Sequence, residues 1–224
     1  MSVLTLQQEP DESAVVSPLY LITDRSQGGD RPLSEVVESA LRGGVRMFQL
    51  REKDLADAEL FCLADELARL VHGYGGRLLI NRRADVCVAV GADGVQLGAD
   101  GPDIRDVRRL LGTAALIGYS AHGLDEALRA ERCGADFITF SPVFHTPSKA
   151  IYGPPVGLDL LSQVCERLTI PVLALGGIKP ENLPEVMNCG AAGVALISAV
   201  MSAADPAGQS ALILEMIKQH AIQA

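Results

Sequence analysis

The chain is 224 residues long with a formal net charge of −9, 48% hydrophobic and 21% charged residues. That is enough apolar material for one substantial core and gives no reason for a second. The acidic balance argues against a nucleic-acid partner, which is held by clustered Lys and Arg, and any bound anion must be small and locally held.

In chain order, residues 1–17 carry Glu9, Asp11 and Glu12 without periodicity and read as a flexible tail, with one barrel domain expected over 18–224. No apolar run reaches the roughly 20 residues that cross a bilayer. The acidic start also lacks the basic-then-apolar pattern of a secretory leader, so a cytoplasmic protein without a membrane partner is expected. Eight aliphatic runs then follow, predicted as strands over Leu19 to Asp24, Met47 to Arg51, Arg77 to Asn81, Gly94 to Gly98, Ala115 to Ser120, Asp136 to Ser141, Pro171 to Gly177 and Gly193 to Ser198. Between them, apolar residues at three- and four-residue spacing predict helices over Leu33 to Arg42, Asp57 to Val71, Ala84 to Val90, Ile104 to Leu111, Leu124 to Cys133, Leu158 to Leu168 and Asn182 to Cys189. Five cysteines, Cys62, Cys87, Cys133, Cys165 and Cys189, stand singly within these helices, which disfavours a disulfide framework or a thiolate metal site.

Strands covered by helices on both faces have no polar face, so chemistry is displaced to their ends. Eight alternating units fit a single-domain (β/α)₈ TIM barrel, whose active site lies at the C-terminal mouth. An open doubly wound sheet is the alternative, and no Gly-x-Gly-x-x-Gly turn follows the first strand to support it.

The predicted mouth collects Gln49, Arg51, Lys53, Asn81, Gln96, Ser120, His122, Thr146, Ser148, Lys149, Gly176, Gly177, Ile197 and Ser198. Alternation sends Gln49, Arg51 and Lys53 to one side, where a guanidinium fork and a mobile ammonium suit a phosphate or pyrophosphate; a solvated strand exit with an Arg–Glu pair is the bland alternative. Gly176 and Gly177, with Ile197 and Ser198 after the eighth strand, sit where barrels bind phosphate on backbone amides, unless the glycines only serve a tight turn. The sixth loop runs from Phe140 to Gly157, a length usual for lids, and Thr146, Ser148 and Lys149 on it are candidates to close over an anion.

The strings Tyr20-Leu-Ile-Thr-Asp24, Gln49-Leu-Arg-Glu-Lys53, Ala92-Asp-Gly-Val95, Gly118-Tyr-Ser-Ala-His122, Pro142-Val-Phe-His-Thr-Pro-Ser-Lys149, Gly176-Gly177 and Val194-Ala-Leu-Ile-Ser198, with Asn81, resemble the thiamine-phosphate synthase and thiazole tautomerase superfamily, in order and over nearly the whole chain. The resemblance implies a (β/α)₈ fold, frequent oligomers and one of two activities. The synthase joins a pyrimidine diphosphate to a thiazole phosphate with loss of pyrophosphate. The tautomerase aromatises a carboxythiazole phosphate by moving one proton.

Magnesium separates the two. The synthase pattern implies two aspartates that hold Mg²⁺, at positions where this chain has Arg82 and Gly101; only Asp100 and Asp103 lie near enough for a shifted contact. The first expectation is therefore a metal-free, cofactor-free isomerase of the tautomerase-like branch, binding a small phosphorylated thiazole, with His122 moving the proton and His145 as second candidate. The alternatives are the Mg²⁺-dependent synthase, which the intact Gln49, Arg51 and Lys53 favour, and a catalytically silent binder of a phosphorylated thiazole or pyrimidine. A remoter one is an unrelated phosphate-binding barrel isomerase.

Overall fold

Aliphatic runs with no polar face pair side by side in sequence order. The computed structural model describes residues 16–146 and 155–223. Its strands are β1 (Leu19–Ile22), β2 (Met47–Leu50), β3 (Arg77–Asn81), β4 (Gly94–Leu97), β5 (Leu116–Ala121), β6 (Phe137–Phe140), β7 (Val172–Leu175) and β8 (Gly193–Leu196). Every neighbouring pair is parallel, and β8 returns to β1 with Tyr20 opposite Ala195, so the sheet closes into a barrel. Closure removes the open-sheet alternative and leaves no sheet edge.

The connecting helices are α1 (Leu33–Arg42), α2 (Asp57–Gly73), α3 (Ala84–Val90), α4 (Ile104–Leu111), α5 (Leu124–Arg132), α6 (Gly157–Arg167), α7 (Leu183–Asn188), α8 (Ser198–Met201) and α9 (Pro206–Gln223). Most match the apolar spacing to within two residues. β3 and β5 are as long as the runs that predict them, and the other strands are one to three residues shorter, because ladder pairing stops before the chain turns into the mouth loops. Helix α9 was not among the predicted elements: Leu212, Ile213, Leu214, Met216, Ile217 and Ile222 surround its axis too evenly to mark one face. It nevertheless buries Ile213 and Ile217.

Strand alternation sorts side chains into two cores. Tyr20, Ile22, Met47, Leu79, Leu116, Phe137, Leu173, Leu175 and Ala195 fill the barrel. Leu21, Phe48, Leu78, Ile80, Val95, Ile117 and Ile138 point outward under the helices, against residues such as Val37, Ala40 and Leu67. The expected tail over 1–17 falls almost wholly outside the described residues. No described helix is long and apolar enough to cross a membrane.

Candidate active site

Inward parity places a polar layer above the apolar barrel filling. Gln49 Nε2 donates to the Tyr20 hydroxyl at 3.2 Å, and that hydroxyl donates to Gln96 Oε1 at 3.3 Å. Gln96 Nε2 donates to Ser120 Oγ at 3.0 Å and Thr139 Oγ1 at 3.1 Å, and Thr139 Oγ1 donates to Ser120 Oγ at 3.1 Å. The donors therefore run one way, from β2 through β1 and β4 to β6 and β5. Ser120 Oγ accepts twice, so its own proton, like the second amide hydrogen of Gln49, is a donor the layer does not consume. Buried polar groups are costly unless satisfied, and a closed network of this kind fixes side-chain geometry. Burial pushes the Tyr20 phenol well above its ordinary pKa, with the bond from Gln49 opposing, so the ring stays protonated as the directed chain requires. Gly118 makes room for this: a Cβ there would stand 2.3 Å from both Gln96 Oε1 and Phe137.

The exit of β2 is held from behind. Glu52, only 7% exposed, has outward parity and accepts from Thr23 Oγ1 at 2.7 Å, from the Arg25 backbone N–H, and from the Arg25 guanidinium at 3.3 Å. The Arg51 N–H in turn donates to Thr23 Oγ1 at 3.0 Å. This clamp ties the β1 loop to the β2 loop and sends Arg51 and Lys53 to the mouth. The Arg–Glu pair anticipated as the bland reading exists, but its arginine is Arg25. Among the described residues no carboxylate forms an ion pair with Arg51 or Lys53. The Arg51 charge lowers the Lys53 pKa, burial and the Arg82 charge lower it further, and Asp100 only partly compensates. Arg51 also reaches Asp24: burial raises that carboxyl, but hydrogen bonds from Ser26 and Gln27, together with the Arg51 charge, bring it below its ordinary value.

Asn81 ends β3, and Arg82 after it is the only non-glycine with positive φ among the described residues, at 61°. Its N–H donates to the Gln96 carbonyl at 2.9 Å, and its guanidinium meets Asp100 at 3.3 Å. Asp103 caps α4 by accepting from the Arg105 N–H at 2.8 Å. Of the two carboxylates near Asn81, one thus faces a guanidinium and the other is spent on a helix end. No described group of three or more His, Cys, Asp or Glu side chains has a metal-binding arrangement. Mg²⁺ takes hard oxygen ligands in octahedral geometry, commonly one or two carboxylates with substrate phosphates; the side chains of Arg82 and Gly101 offer no oxygen and Asp100 faces a guanidinium, so these residues do not fit the ion that the family resemblance implies.

Beyond β5, the exposed His122 lies with Nδ1 2.6 Å from the Ser141 carbonyl oxygen, and its N–H donates to Glu126 at 2.8 Å. A carbonyl only accepts, so Nδ1 carries a proton and Nε2 holds the lone pair of the neutral ring. Gly176 and Gly177 have φ of 103° and 67°. A Cβ on Gly177 would stand 2.8 Å from Phe144 Cβ, and Phe144 N–H donates to the Gly176 carbonyl at 3.0 Å. The pair therefore makes a turn and also lets the sixth loop lie on the end of β7. Ile197 precedes α8 and Ser198 opens it, exposed at the mouth. Thr146 is half-buried and His145 exposed, while Ser148 and Lys149 lie outside the described residues.

The structure gathers Gln49, Gln96 and Ser120 into the polar layer and Arg51 and Lys53 into a basic rim. Sequence reading missed Tyr20 and Thr139, which complete the layer, and the Thr23–Glu52 clamp. Their only signal was inward or outward parity within strands that looked uniformly apolar.

Residues 19–200 match the family described as thiamine monophosphate synthase. The chain belongs to this family. It is 54% identical over 199 residues, 89% of this chain and 93% of the relative, to a putative thiamine-phosphate synthase of Geobacter sulfurreducens. It is 37% identical over 221 residues, 95% and 97% of the two chains, to the thiamine-phosphate synthase of Roseiflexus castenholzii. Among solved structures, thiamine phosphate pyrophosphorylase from Pyrococcus furiosus superposes with a TM-score of 0.83 at 36% identity, covering 90% of this chain and 96% of that one.

These relatives overturn the expectation of a tautomerase, and with it the isomerase class: the matches carry the synthase name. Replacing two carboxylates removes metal ligands, but it leaves Arg51 and Lys53, the groups that suit a diphosphate.

Proposed function

We propose that this barrel is a transferase that joins a pyrimidine diphosphate to a thiazole phosphate, releasing pyrophosphate and thiamine phosphate. A carbon–nitrogen bond forms between the thiazole ring nitrogen and the pyrimidine methylene carbon. The carbon–oxygen bond to the diphosphate breaks, and the leaving group takes the electron pair. No proton has to be moved, so His122 needs no acid–base role here. Arg51 and Lys53 receive the diphosphate and stabilise the charge that grows on it as it departs, the kind of preorganised electrostatics that dominates such steps. The thiazole phosphate is assigned to the backbone of Gly176, Gly177, Ile197 and Ser198. Thr146, Ser148 and Lys149 are assigned to the loop covering the diphosphate. Gln49, Asn81, Gln96 and Ser120 form the floor, with the spare Ser120 proton as donor to the pyrimidine portion. Both substrates are multiply charged and membrane-impermeant, which suits a cytoplasmic enzyme.

The observation that carries this reading is that Arg51 and Lys53 stand at the exit of β2 with no carboxylate ion pair among the described residues, in a barrel of this family. Mg²⁺, which the family resemblance attaches to the reaction, finds no fitting donor set here, and no step is assigned to it. That misfit favours one second reading, a silent binder of the same ligands. Incubation with both substrates and chromatographic detection of thiamine phosphate decides: product supports the transferase, whereas saturable binding of both ligands without product leaves the binder.

A further inference from the structure

Three arginines near the mouth differ in how firmly they are held. Arg83 contacts Asp85 through Nε and Nη2 and Asp57 through Nη1, at 2.6–2.9 Å for the shortest contact of each nitrogen. Arg25 takes both oxygens of Asp54 at 2.6 and 2.7 Å and adds Glu52. Arg82 has one contact, 3.3 Å to Asp100, whose side chain is 85% exposed. A single long contact to a solvated carboxylate is easily exchanged.

The backbone around Arg82 is, by contrast, fixed. A left-handed residue is uncommon outside glycine and persists where its surroundings enforce it. Here the Arg82 N–H is bonded to the Gln96 carbonyl at 2.9 Å and the Arg83 N–H to the Asn81 carbonyl at 2.8 Å. The side-chain stem passes Gly101, where a Cβ would stand 3.9 Å from Arg82 Cγ. Because β3 pairs with β2, with Leu50 opposite Ile80, this turn opens beside the exit of Arg51 and Lys53. Lys53 registers both guanidinium charges.

We propose that Arg82 is the resident cation of this mouth: its guanidinium leaves Asp100 for a bound diphosphate and supplies neutralisation that a divalent ion would otherwise give. The inference rests on the diphosphate-handling role proposed above. It accounts for a cation standing among the groups next to Asn81, where Asp103 caps a helix and Asp100 has one long contact to that same cation. A planar fork binds two phosphoryl oxygens at once and keeps its charge at any working pH, which a hydrated ion achieves only with several ligands.

The test is calorimetric binding of inorganic pyrophosphate to the full chain, in EDTA and in saturating Mg²⁺, for the wild type, Arg82→Asn and Arg82→Lys. Asn tolerates the left-handed backbone, so the first variant removes charge without new strain. The wild type should bind in EDTA, with Mg²⁺ changing its affinity by less than about threefold, and Arg82→Asn should lose about tenfold or more in EDTA at an unchanged melting temperature. Arg82→Lys should recover part of that loss, and it carries the test if the Asn variant melts early. Equal affinity of wild type and Arg82→Asn in EDTA, or wild-type binding that requires Mg²⁺, overturns the proposal. Failure to form thiamine phosphate while Arg82-dependent binding persists would count against the transferase reading alone.

Discussion

The two ends of this barrel differ in how particular charges are partnered. At the N-terminal end Asp93, Asp136 and Arg46 are matched within the fold. Asp93 accepts from His72 and from the Leu78 N–H, both at 2.8 Å, and Asp136 accepts from Arg108 and, at 2.7 Å, from the Ile117 N–H. Arg46 donates to two carbonyls at 2.8 Å. At the C-terminal end Arg51 and Lys53 instead have no carboxylate ion pair among the described residues, and the Arg51 charge lowers the Lys53 pKa. Charges satisfied within the fold stabilise it; like charges without a carboxylate partner favour binding of an anion. The same amino-acid types thus serve architecture at one rim and binding at the other.

Four substitutions or titrations break or sharpen that contrast, and the largest effect is expected at the mouth. Arg51→Ala should lower kcat/KM for thiamine phosphate formation about 10²–10³-fold, as loss of one transition-state donor does, while the melting curve hardly moves. Steady-state kinetics beside calorimetry checks both halves. At the other rim, Asp136→Ala should cost about 1–3 kcal/mol of stability by stranding the Ile117 N–H and taking the carboxylate from Arg108, which keeps its backbone carbonyl partners. Activity per folded molecule should not change, and denaturant titration with active-site normalisation measures this.

The pH dependence follows from Lys53. Its ammonium form binds the anion, and crowding lowers its pKa below the ordinary lysine value. Pyrophosphate affinity should accordingly fall as pH rises through that lowered pKa, beginning below the pH at which a free lysine titrates. Lys53→Met should bind more weakly at neutral pH and lose that alkaline limb; a limb that survives in the variant assigns the titration to another group. The smallest effect is expected for His122→Asn. An Asn amide can still donate to the Ser141 carbonyl, so turnover should stay within about tenfold of wild type, below the range a general acid–base group supplies. A larger loss would restore a chemical role to this ring.

Much of the architecture was legible because its physics is repetitive. Eight aliphatic runs alternating with helical spacing admit few folds, and inward parity alone placed Gln49, Arg51 and Lys53 on one side. The polar layer was only half readable. Tyr20 and Thr139 are ordinary strand residues whose hydroxyls acquire meaning only when β1, β4, β5 and β6 converge across the barrel. Glu52 was hidden for the opposite reason: a glutamate between Arg51 and Lys53 reads as their partner, whereas alternation turns it outward to Thr23 and Arg25. Arg82 and Gly101 were seen in the sequence as lost ligands, which pointed to the wrong reaction. That Arg82 brings a charge to the same corner is visible only once its turn stands beside the exit of β2.

The most direct test of this account is a stoichiometric one on the basic rim. Pyrophosphate and thiamine phosphate should be quantified together from the wild type and from an Arg51→Ala/Lys53→Ala double variant of unchanged melting temperature. The account predicts equimolar products from the wild type and near-background levels from the variant. Pyrophosphate released without thiamine phosphate, or undiminished coupling in the variant, would contradict it.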